Sequence, residues 1–222
     1  MSRDSRPARR SQAERRAETR RALIYAGRAL FTEQGFRDVT TSAIVERAAV
    51  TRGALYYHFP EGKDALFEAL FEVVEAEIDA AVLAAAQTTL QNTGDITEAF
   101  MAGTDRFLQE SARPEIQRLL FTDGPAALGW DRWYELDARH GMAQITLGFE
   151  GLIAAGVIAR QPVAPLAHIW YGATLGAARS IATADDPERA LQDASDCLRQ
   201  LLGGLRQAAT TEPAVVRPDD VR

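Results

Sequence analysis

Two threonines and a proline hold residues 40–60 to a narrow set of shapes. Thr40 and Thr51 are helix-capping residues, whose hydroxyls accept a backbone N–H from the first turn, and Pro60 cannot sit in a helix interior. The segments they bound, Thr40 to Ala48 and Arg52 to His58, have room for about two turns each. Two short helices joined by a tight turn follow, with Ile44, Val45, Ala48, Val50 and Leu55 turned inward and the outer face of the second helix free. That face carries Thr51, Arg52, Gly53, Ala54, Tyr56, Tyr57 and His58. Hydroxyls, a guanidinium, an imidazole and two small residues suit the edges of a DNA major groove. Adjacent helical residues point about 100° apart. With Leu55 and Phe59 inward, at least one of Tyr56 and Tyr57 therefore faces solvent.

The rest of the chain reads as helix too, since apolar residues recur at three- and four-residue steps and nowhere alternate for long. A first helix runs from about Glu18, burying Leu23, Ile24, Gly27, Leu30 and Phe31, and stops at Gly35. After the break at Pro60, Glu61 and Gly62, one long helix spans Lys63 to Gln87. Further helices are expected at Ile96 to Glu110, Glu115 to Phe121, Gly129 to Ala155, Pro165 to Thr183 and Pro187 to Leu205, separated by prolines and glycines. The fold class is all-α. A three-helix, helix-turn-helix unit over 18–62 is joined by the long helix to a helical body over 63–207, with a disordered basic arm at 1–17 and a disordered tail at 208–222.

Charge divides along the same line. Residues 1–60 hold twelve Arg and no Lys against six Asp plus Glu, a charge of +6, which leaves −12 for residues 61–222 out of a total of −6. The basic part attracts phosphate and the acidic part is repelled by it. The single cysteine, Cys197, rules out an internal disulfide and a multi-cysteine zinc site, and is expected to pack as a small residue. His58, His140 and His168 lack ligand-like spacing, so neither metal nor cofactor is expected. No apolar run has signal-peptide or membrane-spanning character, and the expected location is the cytoplasm.

The run Ala22 to Phe36 ending in Glu-Gln-Gly-Phe, then Thr40 and Thr41, then Gly53 through Pro60 followed by Lys63, resembles the tetracycline-repressor (TetR) family of regulators. The resemblance covers residues 19–70 in motif and the remainder in layout. It implies that Thr40, Thr41, Tyr57, His58 and Lys63 position DNA phosphates, while Ser42, Arg52, Gly53, Ala54 and Tyr56 face base edges, with Arg52 the leading base reader and Thr51 beside it. Two departures stand out. Ala49 occupies a turn position where many relatives have Gly; either it takes a positive φ at about 1 kcal/mol, or the turn avoids that conformation. Gly62 moves Lys63 one place beyond the shortest family spacing.

For the body, the resemblance implies a homodimer through the last two helices. Gly172, Ala173, Gly176, Ala177 and Ala178 offer a smooth face, and Leu198, Leu201, Leu202 and Leu205 an apolar stripe. Between Ile96 and Tyr171 lie enough aromatics for a small-molecule cavity. Phe107, Phe121, Trp130, Trp133, Tyr134, His140, His168 and Tyr171 are the candidate ligand contacts, with Arg118 and Asp123 nearby. The expected function is a homodimeric repressor, released from a palindromic operator by a small-molecule effector. An activator or an effector-independent DNA binder is the alternative. Asp131, Glu135, Asp137, Arg139 and His140 share a helix and suggest acid-base work, but no nucleophile motif, phosphate loop or metal-spaced cluster accompanies them. The expectation is therefore not an enzyme.

Overall fold

A computed structural model describes residues 11–210, and among them every regular element is a helix. The order is α1 (Gln12–Gln34), α2 (Thr41–Arg47), α3 (Arg52–His58), α4 (Lys63–Thr93), α5 (Ile96–Ser111), α6 (Pro114–Ile116), a π-helical segment (Gln117–Asp123), α7 (Gly124–Leu128), α8 (Trp130–Ala154), α9 (Val163–Ala182) and α10 (Pro187–Thr210).

Helix ends differ from the sequence reading for identifiable reasons. α1 starts at Gln12, not near Glu18, because Ser11 and Glu14 form a reciprocal capping box: Glu14 N–H donates to Ser11 Oγ (3.1 Å) and Ser11 N–H to Glu14 Oε2 (2.6 Å). Helix thus reaches well into the expected arm, whose residues 1–10 lie outside the described part of the chain. α4 continues beyond Gln87 to Thr93 and stops where Gly94 takes φ +67°. α10 runs past Leu205 to Thr210; residues 211–222 of the expected tail lie outside the described residues. The helix expected at Glu115 to Phe121 is one α-turn, opened by Pro114 at its first position, followed by the wider π-helical segment.

The chain divides into two units. One holds the described residues up to Val74 together with Arg118–Trp133; the other holds Glu75–Gln117 and the described residues from Tyr134 on. In the first, α1 buries Leu23, Ile24, Leu30 and Phe31 among Ile44 of α2, Leu55 of α3 and Leu66, Phe67 and Leu70 of α4. Phe31, Phe36 and Phe67 form a ring cluster with centroids 4.9–5.7 Å apart, favourable by about 0.5–1.5 kcal/mol per pair beyond area burial. Gly27 lets α1 come close to α4, since a Cβ there would lie 3.1 Å from Leu66 Cδ2. In the second unit Met101, Leu108, Phe149, Leu152, Trp170, Ile181, Leu198 and Leu202 make one core in which α5, α9 and α10 pack together.

Candidate nucleic-acid interface and ligand cavity

In the first unit, α2 and α3 begin as their caps dictate. Ala43 N–H donates to Thr40 Oγ1 and Ala54 N–H to Thr51 Oγ1, both at 3.2 Å. α2 ends in a Schellman motif: Val50 N–H donates to the Val45 carbonyl (3.0 Å) and Ala49 N–H to that of Glu46 (3.1 Å). That pattern needs a left-handed residue, and Ala49 supplies it at φ +52°, alone among the described non-glycine residues. α3 then buries Leu55 and leaves Thr51, Arg52, Gly53, Tyr56 and Tyr57 exposed, with Ala54 and His58 half-buried. Tyr56 is 40% and Tyr57 59% exposed, so both rings face outward.

Neighbouring groups hold these side chains in place. The Arg52 guanidinium lies over the Tyr56 ring at 5.8 Å, and its hydrogen bond and charge pull the Tyr56 hydroxyl below its ordinary pKa. Gly62, at φ +69°, lets the Tyr56 ring lie close, where a Cβ would meet Cε1 at 3.2 Å. From α1, Arg16 sits 5.0 Å over Tyr57 and Arg20 5.3 Å over Phe59. Partial burial, then the charges of Arg16 and Arg20, push the His58 imidazole below its ordinary pKa. Lys63 turns its ammonium back onto the chain, donating to the Phe36 carbonyl at 2.8 Å.

The second unit contains a cavity of about 300 Å³ bounded by residues of α4, α5, α8 and α9. Ile78, Val82, Phe100, Phe107, Ile145 and Trp170 supply apolar wall. Its polar lining includes Glu75, Asp79, Asp137, Gln144 and Tyr171, with Gln87, Thr104 and Thr174 besides. Asp79 accepts from Gln144 Nε2 (2.7 Å) and pairs with His140 Nδ1 (2.7 Å); Tyr171 Oη donates to Asp137. Desolvation, then the neighbouring carboxylate of Asp137, holds Glu75 well above the usual carboxyl range. Asp137 is raised as well, chiefly by burial, although Tyr171 and Glu75 hydrogen-bond to it.

Residues 16–70 match the family described as bacterial regulatory proteins, tetR family, and residues 97–205 match the tetracyclin repressor-like C-terminal domain. A TetR-family transcriptional regulator from Pectobacterium atrosepticum has a similar structure, with TM-score 0.73 and 32% identity, over 88% of this chain and 97% of that one. The chain belongs to the tetR family. Among curated relatives of this tetR-family regulator, it is 33% identical to the transcriptional repressor BepR of Brucella suis and 32% identical to the transcriptional repressor Rv1474c of Mycobacterium tuberculosis. Those matches cover 51% and 55% of this chain, and the chain spans 52% and 62% of the two relatives' lengths.

Within the tetR-family framework, the residues expected at DNA divide unevenly. Thr40, Thr41 and Ser42 open α2, and Thr51 to His58 present the outer face of α3. Lys63 instead faces the Phe36–Arg37 backbone. Arg16 was missed because residues up to 17 read as an arm, although the Ser11-x-x-Glu14 signature signals a helix that begins before it, and Arg20 was not singled out within the expected first helix.

Of the expected ligand contacts, Phe107 and Tyr171 line the cavity and the other six do not. Phe121 is half-buried in the π-helical segment of the first unit. Trp133 is fully buried in the first unit, donating Nε1–H to the Leu120 carbonyl at 2.7 Å, and the exposed Trp130 rests on it. Tyr134 is exposed and meets Tyr171 edge-on. His140 spends its Nδ1 on Asp79, and the exposed His168 spends its own on the Ala164 carbonyl at 2.8 Å. Arg118 and Asp123 point to the end of α1: Arg118 donates to the Thr32 carbonyl (3.2 Å), and Asp123 accepts the Phe36 N–H (2.9 Å). Cys197 is exposed in the single chain, contrary to the packed position expected. The sequence reading also overlooked Glu75 and Asp79, acidic residues one helical turn apart beside the apolar Val74, Ile78 and Val82 of α4.

Proposed function

We propose that this tetR-family regulator is a homodimeric repressor that places α3 in the major groove of a palindromic operator and lets go when a small molecule enters the cavity of the second unit. The observation that carries the DNA reading is the outer face of α3, where Arg52, Tyr56 and Tyr57 are exposed while Leu55 and Phe59 are buried. Arg52 is the base reader, and Thr41, Tyr57 and His58 set the register on phosphates. Arg16 and Arg20 add positive charge beside the end of that helix. Lys63 reaches a phosphate only by giving up its bond to the Phe36 carbonyl.

Paired subunits would present two recognition helices to half-sites about one DNA turn, roughly 34–36 Å, apart. α9 and α10 are the proposed dimer face. Ile169, Gly172 and Gly176 form an exposed row on α9, and Cys197, Leu201 and Gly204 another on α10. Ala178, Leu198 and Leu202, expected at this face, are buried within the subunit instead. α4 carries Lys63 at one end and cavity residues from Glu75 onward, so a ligand acts on the helix that begins beside α3. Ligand and operator then oppose each other with one reciprocal coupling energy.

Selection of random duplexes on the purified protein, followed by mobility-shift titration of the winner, tests the reading. The expected result is a palindromic site, affinity that falls steeply with salt, and a loss of about 1–3 kcal/mol for Arg52→Ala with relaxed preference at one base pair. Enrichment of no sequence, or full operator affinity in Arg52→Ala, would overturn it.

A further inference from the structure

The polar end of the cavity is unbalanced in a way that selects a ligand. Three carboxyl groups, Glu75 and Asp79 of α4 and Asp137 of α8, line it, and among the described residues no lysine or arginine does. Asp79 is provided for by Gln144 and by His140. Glu75 and Asp137 are served differently. Both are buried, at 5% and 7% exposure, and they hydrogen-bond to each other. Asp137 has in addition the Tyr171 hydroxyl. Glu75 Oε1 has no hydrogen-bond partner.

A buried acceptor left unpaired is destabilising, and two carboxyls in contact hold one proton between them more readily than none. The pair therefore keeps one negative charge, which His140, itself paired with Asp79, eases, and which no described lysine or arginine of the cavity lining meets. A carboxylate ligand would meet the like charges of that pair and of Asp79, with no lysine or arginine among the described lining residues. A neutral alcohol would satisfy Glu75 Oε1 with a hydrogen bond between neutral groups, whereas an ammonium would meet ionised carboxylates with stronger, charge-assisted ones.

We propose that the cavity is built for amphiphilic amines, the ammonium donating to Glu75 Oε1 and lying against the Glu75–Asp137 pair while the apolar part fills the space walled by Ile78, Val82, Phe100, Phe107 and Trp170. The proposal deepens, and rests on, the reading of this cavity as the effector site. Burial and Asp137 favour a proton on the Glu75 carboxyl in the free protein. The entering ammonium replaces that proton, which leaves to solvent, so the charge of the site is conserved: one cation in, one proton out. Asp79 and His140 stay paired, and Tyr171 keeps its bond to Asp137.

Calorimetric titration of the full chain near neutral pH with octylamine, octanol and octanoate, in buffers of different ionisation enthalpy, tests this. Octylamine is expected to bind about tenfold or more tighter than octanol, as a charge-assisted hydrogen bond allows, with octanoate weakest and proton release seen for the amine alone. Glu75→Gln brings octylamine to the octanol level while octanol still binds. Asp137→Asn weakens octylamine in the same direction and serves where Glu75→Gln fails to fold; the proton count needs no variant. Octanol or octanoate binding as tightly as octylamine, amine binding without proton release, an amine preference that survives Glu75→Gln, or no binding by any of the three overturns the proposal. Operator release separates it from the effector reading: selective amine binding that leaves the operator complex intact removes that reading and keeps the amine site, and release by octanol as strong as by octylamine does the reverse.

Discussion

At Ala49 a residue with a Cβ sits where the backbone asks for none. The Schellman bonds from Val50 and Ala49 hold φ at +52°, a conformation costing an L-residue roughly 1–2 kcal/mol. Ala49→Gly relieves that cost and adds unfolded-state entropy of about 0.5–1 kcal/mol. The net expectation is a stabilisation of about 0.5–1 kcal/mol in denaturant unfolding, with operator affinity unchanged; a loss of stability would show that the turn is not strained. Glu75 makes a second prediction, through linkage. Its folded pKa is raised, with Asp137 and Asp79 facing it and Tyr171 and His140 beyond them. The native state thus binds the proton more tightly than the unfolded chain. Its stabilisation is complete below the ordinary carboxyl value of about 4.5 and is lost as pH rises through the folded value. Melting temperature should fall across that interval in the free protein and fall less in Glu75→Gln; equal slopes would sink the assignment.

The π-helical segment Gln117–Asp123 is the element whose role shows only in the fold. It carries Arg118 across Gly35, at φ +87°, so closely that a Cβ there would meet Nη2 at 2.7 Å. It also brings Asp123 to the buried Phe36 N–H. Asp123→Ala leaves that N–H unpaired and removes the partner 3.9 Å from the Arg118 guanidinium. A loss of about 1–3 kcal/mol follows. Glu33→Ala breaks a bidentate but exposed pair with Arg47 and should cost less than about 1 kcal/mol. Urea titration of the two variants decides the matter, and equal losses would mean that Asp123 is not the clasp described.

For the molecule as a whole, the proposed pairing of subunits makes the exposed rows on α9 and α10 necessary. Leu201, 55% exposed in the single chain, would be buried in a dimer. Leu201→Glu should give a monomer by light scattering, with helical content by circular dichroism retained and operator affinity reduced by a factor of about ten or more, because the half-site is then bound by one subunit alone. A dimeric Leu201→Glu would place the interface elsewhere. The segregation of charge, +6 in residues 1–60 against −12 beyond, belongs to the same scale, and it explains how an acidic protein can approach DNA with one part only.

What sequence alone determined was local: caps at Thr40 and Thr51, stops at Gly35 and Pro60, the inward side of α1 and the outward side of α3 all follow from chemistry within a few residues. The all-helical fold and the family motif were legible for that reason, and so was the turn problem at Ala49. Cavity membership was not legible. Phe107 and Tyr171 line the cavity while Trp133, equally aromatic, is spent on the first unit's core. Glu75 and Asp137, 62 positions apart in the chain, become a pair only when α4 and α8 pack. Helical periodicity says which residues turn inward, but not which helix they will meet or which polar groups will be left without a partner there. That is decided by packing between distant segments, and only the tertiary structure contains it.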